Sequence, residues 1–391
     1  MVSGEVPINE VVPVSAVDHG WPSGATGSRR LCSRRFVLIV SARAGRGAAM
    51  AERVCFMHVG TGKTGSTAIQ LALTQEQRYL SAEGVDYPDL SKNLNSASTG
   101  RPTAGNGVAL FRELRHGNIA DPIDIIRDHV NTTNSFIISC EGLCQLPRAT
   151  LMDFVSAIKD LGFRVKGLAY FRPQVDFLVS SYLQKVKTAK VDWKVGVDEY
   201  IRGCVKTIRS RESAWNWLGV ADELADVFGK DGLRVHWYPI LASKGHDEIV
   251  KSFFAWIEVP MPEEYAGGGI SNPSPNPEAL IILRMMNSAG LGGRAFAYEF
   301  LAQAHAAKLL DKRPMLSKEH LALIDGLTRR DNQEMLKRYA PGYSSELLGD
   351  APTDLVADQG LLRKEVVAEM LQMAGQVLAS QGTVRRPVSD A

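Results

Sequence analysis

The sequence predicts an α/β fold in which a mainly parallel central sheet is flanked by helices and followed by a helical C-terminal extension. Short apolar runs alternate with segments of helical period over residues 50–275, which is typical of a parallel sheet covered on both faces. Beyond residue 275 the pattern is helical and no convincing strand remains. We therefore predict a core over 50–275 and a helical C-terminal extension or subdomain over 276–391. Residues 1–49 show no sustained periodicity and are expected to form a disordered N-terminal extension.

Four segments are the predicted strands of the core, and the first two of them are compact apolar runs. They cover residues 54–59, 135–140, 165–171 and 233–238. Segments of helical period alternate with them, at residues 67–79, 121–130, 150–161 and 247–256, with a further helix beginning at Pro173. The predicted C-terminal helices cover residues 278–310, 317–338 and 360–380. Because parallel sheets bind ligands at the carboxyl ends of their strands, we expect the functional residues directly after the strands.

The composition is that of a globular protein, and it argues against a nucleic-acid partner. Of the 391 residues, 45% are apolar and 23% are charged, with a formal net charge of +2. A polyanion-binding surface requires a larger positive excess, whereas a small anion requires only a few local cations. The five cysteines are odd in number and lack zinc-site spacing, so we expect free thiols, no bound metal and a reducing compartment. No apolar run reaches the roughly 18 residues that span a bilayer, so we expect a cytoplasmic protein without a membrane span.

The residues between the first predicted strand and the following helix form a candidate phosphate-binding loop. They are Gly62, Lys63, Thr64, Gly65, Ser66 and Thr67. Glycines allow the backbone to approach an anion, a helix start supplies N–H groups and a positive dipole end, and Lys63 and the hydroxyls add donors. The Walker A loop of NTPases shares the Gly-Lys-Thr of this segment, but it requires a glycine where this chain has Met57. A glycine-rich turn with an ordinary surface lysine remains the alternative.

An arginine and a serine eight residues apart follow the third predicted strand. Arg172 ends that strand, where its planar guanidinium can hold a phosphate through two hydrogen bonds. Ser180 lies about two turns along the next helix and can donate to the same group. The pair occurs by chance in many proteins, so a capping arginine and a surface serine stay open as the alternative.

Together, the loop and the arginine–serine pair resemble the donor-binding elements of PAPS-dependent sulfotransferases of the bacterial branch, where PAPS is 3′-phosphoadenosine-5′-phosphosulfate. Residues 62–67 are similar to the family's 5′-phosphosulfate loop, and Arg172 with Ser180 is similar to its 3′-phosphate element. The resemblance covers residues 54–275. It implies a P-loop-like nucleotide-binding core, PAPS as the donor substrate without a metal, and transfer of a sulfuryl group to an acceptor hydroxyl. It also implies a catalytic role for Lys63.

Glu141 directly follows the second predicted strand and is the candidate general base. Transfer to a hydroxyl is helped by a group that takes the hydroxyl proton as the new bond forms. The eukaryotic cytosolic members of the family carry a histidine at this place, whereas other branches use a glutamate. The alternative is a strand-end glutamate that caps a helix or pairs with Arg172. His58, on the first strand, and His116, in a predicted loop region, are weaker candidates for the base.

Two further parts of the resemblance are weaker. Tyr238, at the end of the fourth predicted strand, is similar to a family tyrosine that approaches the adenine, but Pro239 follows where an acidic residue is usual. The sequence has no match to the family's Arg-Lys-Gly closing loop. The loop at residues 267–274, with Asn272 and Ser274, is the candidate replacement.

The acceptor is the part of the proposed reaction that the sequence defines least. The glutamate base and the bacterial character of the loop favour a carbohydrate or glycolipid hydroxyl, and a phenol or another small metabolite stays open. Two other functions remain alternatives. One is a P-loop nucleotide kinase or NTPase, which would need carboxylates to hold Mg²⁺. The other is a non-catalytic module that binds PAPS or its product 3′-phosphoadenosine-5′-phosphate (PAP).

Overall fold

The structure, a computed structural model, describes most of the chain between residues 52 and 384. The described residues are 52–90, 105–130, 134–190, 196–208, 215–245, 247–263, 265, 274–311, 316–343 and 362–384. The predicted N-terminal extension at 1–49 and the candidate residue Asn272 lie outside them.

The centre of the described chain is a sheet of five parallel strands. They are β1 (Val54–His58), β2 (Val85–Asp86), β3 (Ser135–Ser139), β4 (Arg164–Phe171) and β5 (Leu233–Trp237). Their order across the sheet is β2-β3-β1-β4-β5, and every neighbouring pair is parallel. The predicted parallel sheet is therefore confirmed, and each predicted strand matches an observed one to within a residue at either end. The short β2 was not predicted, because a two-residue edge strand leaves no apolar run in the sequence.

Helices connect the strands and continue beyond the sheet. Those before β4 are α1 (Ser66–Gln75), α2 (Gln77–Ala82), α3 (Val108–Arg115), α4 (Ala120–His129) and α5 (Arg148–Asp160). Between β4 and β5 lie α6 (Gln174–Lys187), α7 (Val197–Ile208) and α8 (Trp217–Phe228). After β5 come α9 (Tyr238–Lys244), α10 (Glu248–Trp256), α11 (Pro277–Ser288), α12 (Arg294–Ala306), α13 (Lys318–Tyr339) and α14 (Lys364–Val384). Among the described residues, no helix combines the length and the apolar character that a membrane span requires.

Two predicted helices are each divided in the structure. The segment predicted as one helix over 67–79 forms α1 and α2, which meet at Glu76. The segment predicted over 278–310 forms α11 and α12. They are separated by a turn in which Gly290 and Gly293 have φ angles of 71° and 131°, values outside the helical range. Helical periodicity continues on both sides of such turns, which is why the sequence pattern alone did not show them.

Helices cover both faces of the sheet, as the sequence predicted. The residues of β1 alternate between two apolar layers, because successive side chains of a strand point to opposite faces. Cys55 and Met57 join the layer that contains residues of α3, α4, α5 and α8. Val54 and Phe56 join the layer that contains residues of α1, α2 and α10.

A third apolar cluster is made by helices alone. α6 contributes Leu178, Tyr182 and Val186 to this cluster, and the other members come from α7, α11, α12, α13 and α14. Because α6 begins three residues after the end of β4, it links the sheet to the C-terminal helices. The division of the chain at residue 275 into a core and an extension stays a prediction.

The strand order creates a crevice at the carboxyl end of β1. This strand lies between β3 and β4, and the connection from β3 to β4 crosses it, which is the kind of switch point at which α/β sheets bind ligands. Beyond the end of β1, the backbone N–H of Thr61 donates to the carbonyl of Tyr170 at 3.2 Å. A Cβ atom at Gly60 would lie 2.5 Å from the backbone nitrogen of Tyr170, so only glycine permits this close approach.

Candidate active site

The loop after β1 is held in shape by its own hydrogen bonds. Thr61 donates its hydroxyl hydrogen to the carbonyl of Tyr170 at 3.0 Å, and Thr64 donates its hydroxyl hydrogen to the carbonyl of Thr61 at 2.7 Å. Both threonine side chains are buried. Thr64, predicted as a hydroxyl donor to an anion, therefore uses its hydroxyl hydrogen inside the loop in this structure.

Two residues of the loop have left-handed backbone conformations. The φ angle is 67° at Lys63 and 82° at Gly65. For a residue with a side chain this conformation costs roughly 1–2 kcal/mol, and strain of this kind is concentrated at functional sites. Gly65 is also the N-cap of α1, which has no side-chain cap. Because a helix leaves its first N–H groups without intrahelical partners, the start of α1 at Ser66 and Thr67 favours an anion.

Lys63 lies among charged and polar side chains from four other parts of the chain. Its ammonium nitrogen Nζ donates to Oε1 of Gln184 on α6 at 3.1 Å. Burial lowers the pKa of Lys63. The carboxylate of Glu141 raises that pKa, and the positive charges of Arg172 and Arg294 lower it further. The structure thus brings the predicted lysine, the predicted base and the predicted phosphate-binding arginine into one neighbourhood.

Arg172 follows β4 and reaches directly to the loop. Its Nη1 donates to the carbonyl oxygen of Lys63 at 2.6 Å, and its Nη2 is 3.5 Å from Oδ2 of Asp176. The guanidinium carbon lies 5.2 Å from the ring centre of Tyr238, and Nε is buried without a hydrogen-bond partner among the described residues. In this structure the ion pair of Arg172 is formed with Asp176, one turn along, and not with Glu141.

Glu141 begins a 3₁₀ turn, Glu141–Gln145, directly after β3. Its carboxylate accepts hydrogen bonds from the side chains of Ser66 and Gln70. Burial raises the pKa of Glu141, while these hydrogen bonds and the charge of Lys63 lower it. A carboxylate whose pKa is raised overall is a stronger base than an exposed glutamate, which suits it to accept a proton.

A buried chain of hydrogen bonds connects Gln70 to His58. Nε2 of Gln70 donates to Oγ of Ser139 at 3.3 Å, and this Oγ lies 3.0 Å from Nδ1 of His58. Burial lowers the pKa of His58 to about 4, so the ring is neutral at pH 7. His58 therefore lies in the core beneath the site, where it supports Ser139, whereas His116 is exposed at the end of α3.

Ser180 lies on the face of α6 that is turned toward the loop. It stands one helical turn after Asp176, which pairs with Arg172, and one turn before Gln184, which pairs with Lys63. The opposite face of α6 is buried in the helical cluster. Helical spacing thus places the predicted serine between the two residues through which α6 meets the site.

Tyr238 lies at the edge of the same neighbourhood. The sequence predicted Tyr238 as the last residue of the fourth strand. In the structure β5 ends one position earlier, and Tyr238 is the first residue of α9. A Cβ atom at Gly65 would lie 3.4 Å from Cε2 of Tyr238, so the ring is close to the start of α1. Of the candidate closing loop, Ser274 is exposed, and the remaining residues, 267–273, lie outside the described part of the chain.

Four residues of the site were not found by sequence reasoning. They are Gln70, Gln184, Lys187 and Arg294. Lys187 is only 5% exposed, and burial together with the charge of Lys63 lowers its pKa to about 8. Gln184 and Lys187 stand four and seven residues after Ser180, so helical spacing from the serine would have indicated them. No sequence pattern indicates Arg294, because its charge acts on Lys63 only as a result of the packing of α12.

The fold and the site together define an α/β protein with a cation-lined crevice at the carboxyl end of its first strand. No protein-family model and no curated protein matches the chain. Among solved structures, it is similar to a sulfotransferase from Alicyclobacillus acidocaldarius, at 18% sequence identity and a TM-score of 0.37. The alignment covers 64% of this chain and 95% of that chain. A similarity this distant assigns neither a family nor an activity.

Proposed function

We propose that this chain is a sulfotransferase that transfers a sulfuryl group from PAPS to an acceptor hydroxyl. The observation that carries this proposal is the hydrogen bond from Arg172 to the carbonyl of Lys63. The two residues are 109 positions apart in the chain and belong to the two segments that resemble the donor-binding elements of the family. One nucleotide can contact both segments only if they share a crevice, and this bond places them side by side.

The charges around the crevice suit the proposed donor. PAPS carries a phosphate at the 3′ position and a phosphosulfate at the 5′ position. Arg172 and Ser180 would hold the 3′-phosphate, since a guanidinium and a hydroxyl are both effective donors to phosphate oxygens. Lys63 and the first N–H groups of α1 would hold the 5′-phosphosulfate. On binding, the Nζ of Lys63 would exchange its hydrogen bond with Gln184 for one with the donor.

The proposed reaction is an in-line displacement at sulfur. The acceptor oxygen forms a bond to sulfur while the bond from sulfur to the bridging oxygen breaks, and that electron pair leaves with the 5′-phosphate of PAP. Glu141 takes the proton of the acceptor hydroxyl, a role for which its raised pKa is suited. Lys63 stabilises the negative charge that develops on the bridging oxygen. We propose a carbohydrate or glycolipid hydroxyl as the acceptor, on the basis of the glutamate base.

The test is transfer of radioactive sulfur. Purified protein is incubated with [³⁵S]PAPS and a fractionated cell extract, and labelled product and PAP are both measured. We expect label and PAP to appear in equal amounts with the wild-type protein and to be lost in Lys63→Ala. Lys185→Ala is the matched control, because Lys185 lies on α6, the helix that Lys63 contacts, but its Nζ lies over the ring of Tyr200, 5.1 Å from the ring centre. Equal transfer by the wild type and Lys63→Ala would refute the proposal.

A further inference from the structure

His58 contacts both of the residues that lead into Glu141. It is the last residue of β1 and is fully buried. Its backbone carbonyl accepts the N–H of Cys140 at 3.1 Å, and its Nδ1 lies 3.0 Å from Oγ of Ser139. Ser139 and Cys140 directly precede Glu141 in the chain. The end of β3, from which Glu141 projects, is therefore held against the end of β1 by one histidine.

Ser139 is fixed by hydrogen bonds at each of its other polar groups. Its backbone N–H donates to Oδ1 of Asn106 at 2.8 Å, and its carbonyl accepts the N–H of Gly107 at 3.2 Å. Its Oγ accepts a hydrogen bond from Nε2 of Gln70 at 3.3 Å. The hydroxyl hydrogen is thus the one part of Ser139 whose direction the neighbouring side chains decide.

The ring of His58 is the acceptor for this hydrogen. Burial lowers the pKa of His58 to about 4, so at pH 7 the ring is neutral and one nitrogen carries a lone pair. Donation from Ser139 to Nδ1 uses that lone pair and puts the ring proton on Nε2. Nε2 has no hydrogen-bond partner in the described part of the chain, but the ring makes edge contacts with Tyr170 and Phe253. Aromatic rings accept an N–H weakly, so this side of the pocket tolerates the proton.

The direction of the Ser139 hydroxyl decides which end of the Gln70 amide faces the site. Because Oγ gives its hydrogen to His58, it needs a donor from Gln70, and Gln70 presents Nε2. Glu141 also accepts a hydrogen bond from the Gln70 side chain, which the second hydrogen of an amide nitrogen supplies. In a turned-over amide, Oε1 would take the place of Nε2. A carboxylate cannot donate to Oε1, so that arrangement requires a protonated Glu141.

On the basis of the proposed function, we propose that His58 is a positioning residue that keeps Glu141 a carboxylate, by fixing through Ser139 which end of the Gln70 amide faces it. A general base must be unprotonated to take the acceptor proton, so this contact, made beneath the site, prepares the base for its reaction. In the described part of the chain, other titratable groups also interact with Glu141, and the substitutions proposed below leave them in place; they are Lys63, Tyr87, Cys140 and Cys144.

Loss of the His58 acceptor should raise the pKa of Glu141. In His58→Phe the Ser139 hydroxyl has Oε1 of Gln70 as its remaining acceptor, and the amide turns Oε1 toward it only when Glu141 is protonated. The cost of an unsatisfied buried hydroxyl therefore favours the protonated state, which corresponds to a rise of roughly 1 to 2 in the pKa. Ser139→Ala, added to His58→Phe, removes that hydroxyl and should return the pKa to its wild-type value. His58→Asn should keep the wild-type value, because its Oδ1 can take the place of Nδ1.

The pKa of Glu141 is measured by ¹³C NMR on protein whose glutamates are labelled at the δ-carbon, and Glu141→Gln identifies the resonance. His58→Leu, which is smaller than His58→Phe and also lacks an acceptor, is measured beside it, and circular dichroism checks that each variant folds. His236→Phe is the matched control. His236 is likewise kept neutral by burial, with its pKa lowered to about 4, and its Nδ1 is bonded to the hydroxyl of Tyr343 instead. It should leave the pKa of Glu141 unchanged.

The NMR measurement needs no turnover, so its outcome is separate from that of the sulfotransferase test. A pKa of Glu141 that stays unchanged in His58→Phe and His58→Leu would overturn the inference. A raised pKa that Ser139→Ala fails to reverse would assign the effect to altered packing and overturn it as well. A raised pKa that Ser139→Ala reverses, in a protein that transfers no label from [³⁵S]PAPS, would support the role of His58 and refute the sulfotransferase proposal. With turnover, the acidic limb of kcat should move by the same amount as the pKa.

Discussion

The guanidinium of Arg172 donates a 2.6 Å hydrogen bond to the backbone carbonyl of Lys63. This bond ties the residue after β4 to the loop after β1, two segments that follow neighbouring strands at the same edge of the sheet. It also helps to hold Lys63 in its left-handed conformation, from which the side chain reaches α6. The position of the lysine and the position of the arginine are therefore linked, and a change at one is expected to affect the other.

Arg172→Ala should reduce the preference for a 3′-phosphate. PAP and adenosine 5′-monophosphate differ only in that group, so the ratio of their dissociation constants isolates it. Hydrogen bonds to charged groups contribute about 1.5–3 kcal/mol, which corresponds to a loss of roughly 10- to 100-fold in the ratio. Arg172→Lys should lose less, because it keeps the charge but not the planar fork. Arg148→Ala, at an exposed ion pair with Asp226, is the control. An unchanged ratio in Arg172→Ala would mean that this arginine does not contact the 3′-phosphate.

Glu141→Gln should abolish most of the turnover and leave donor binding intact. General-base catalysis contributes about 10²- to 10⁴-fold, and a neutral amide cannot accept the acceptor proton. The rate is measured with [³⁵S]PAPS and donor binding by calorimetry with PAP. Glu223→Gln, on the exposed side of α8, is the matched control. If Glu141→Gln turns over as fast as the wild type, a different residue is the base. If neither the wild type nor Glu141→Gln shows turnover, the non-catalytic PAP-binding module is favoured.

Gln70→Leu should shift the pH dependence of kcat. Gln70 donates a hydrogen bond to Glu141, and this bond lowers the pKa of the carboxyl group. Its removal should raise that pKa, so the acidic limb of the profile, where the base becomes protonated, should move to higher pH. Gln77→Leu, which loses a hydrogen bond to the carbonyl of Tyr87 away from the site, should leave the limb in place. A rate lowered equally at every pH would indicate a purely structural role for Gln70.

Gly65→Ala should lower the free energy of unfolding, whereas Gly62→Ala should not. Gly65 has a φ of 82°, and a Cβ atom there would lie 2.9 Å from Cδ1 of Ile249. The left-handed conformation alone costs about 1–2 kcal/mol once a side chain is present. At Gly62 an added Cβ meets nothing within 4 Å, and the backbone is not left-handed. Urea unfolding of both variants measures the difference, and equal stability would show that the loop adapts at residue 65.

Much of the fold was predictable because the longer strands have clear apolar patterns. β1 and β3 have continuous apolar runs, β4 has one in its second half, and β5 alternates apolar with polar residues. β2 has only two residues and pairs with β3, so it leaves no such pattern. Helix boundaries were less predictable. The break between α11 and α12 depends on glycine conformations that leave the helical period on either side unchanged. These limits arise because periodicity reports which faces are buried and not where the backbone turns.

The sequence by itself determined the four longer strands, the glycine-rich loop with Lys63, and the spacing of Arg172 and Ser180, because each depends on residues close together in the chain. The order of the strands across the sheet depends on contacts between distant segments. Only the tertiary structure decided what surrounds Lys63. Gln70, Gln184, Lys187 and Arg294 reach the site from three helices, and their approach depends on how α1, α6 and α12 pack. The pKa values of Glu141 and Lys187 were also decided there, because they are shifted mainly by burial, which no local pattern of residues specifies.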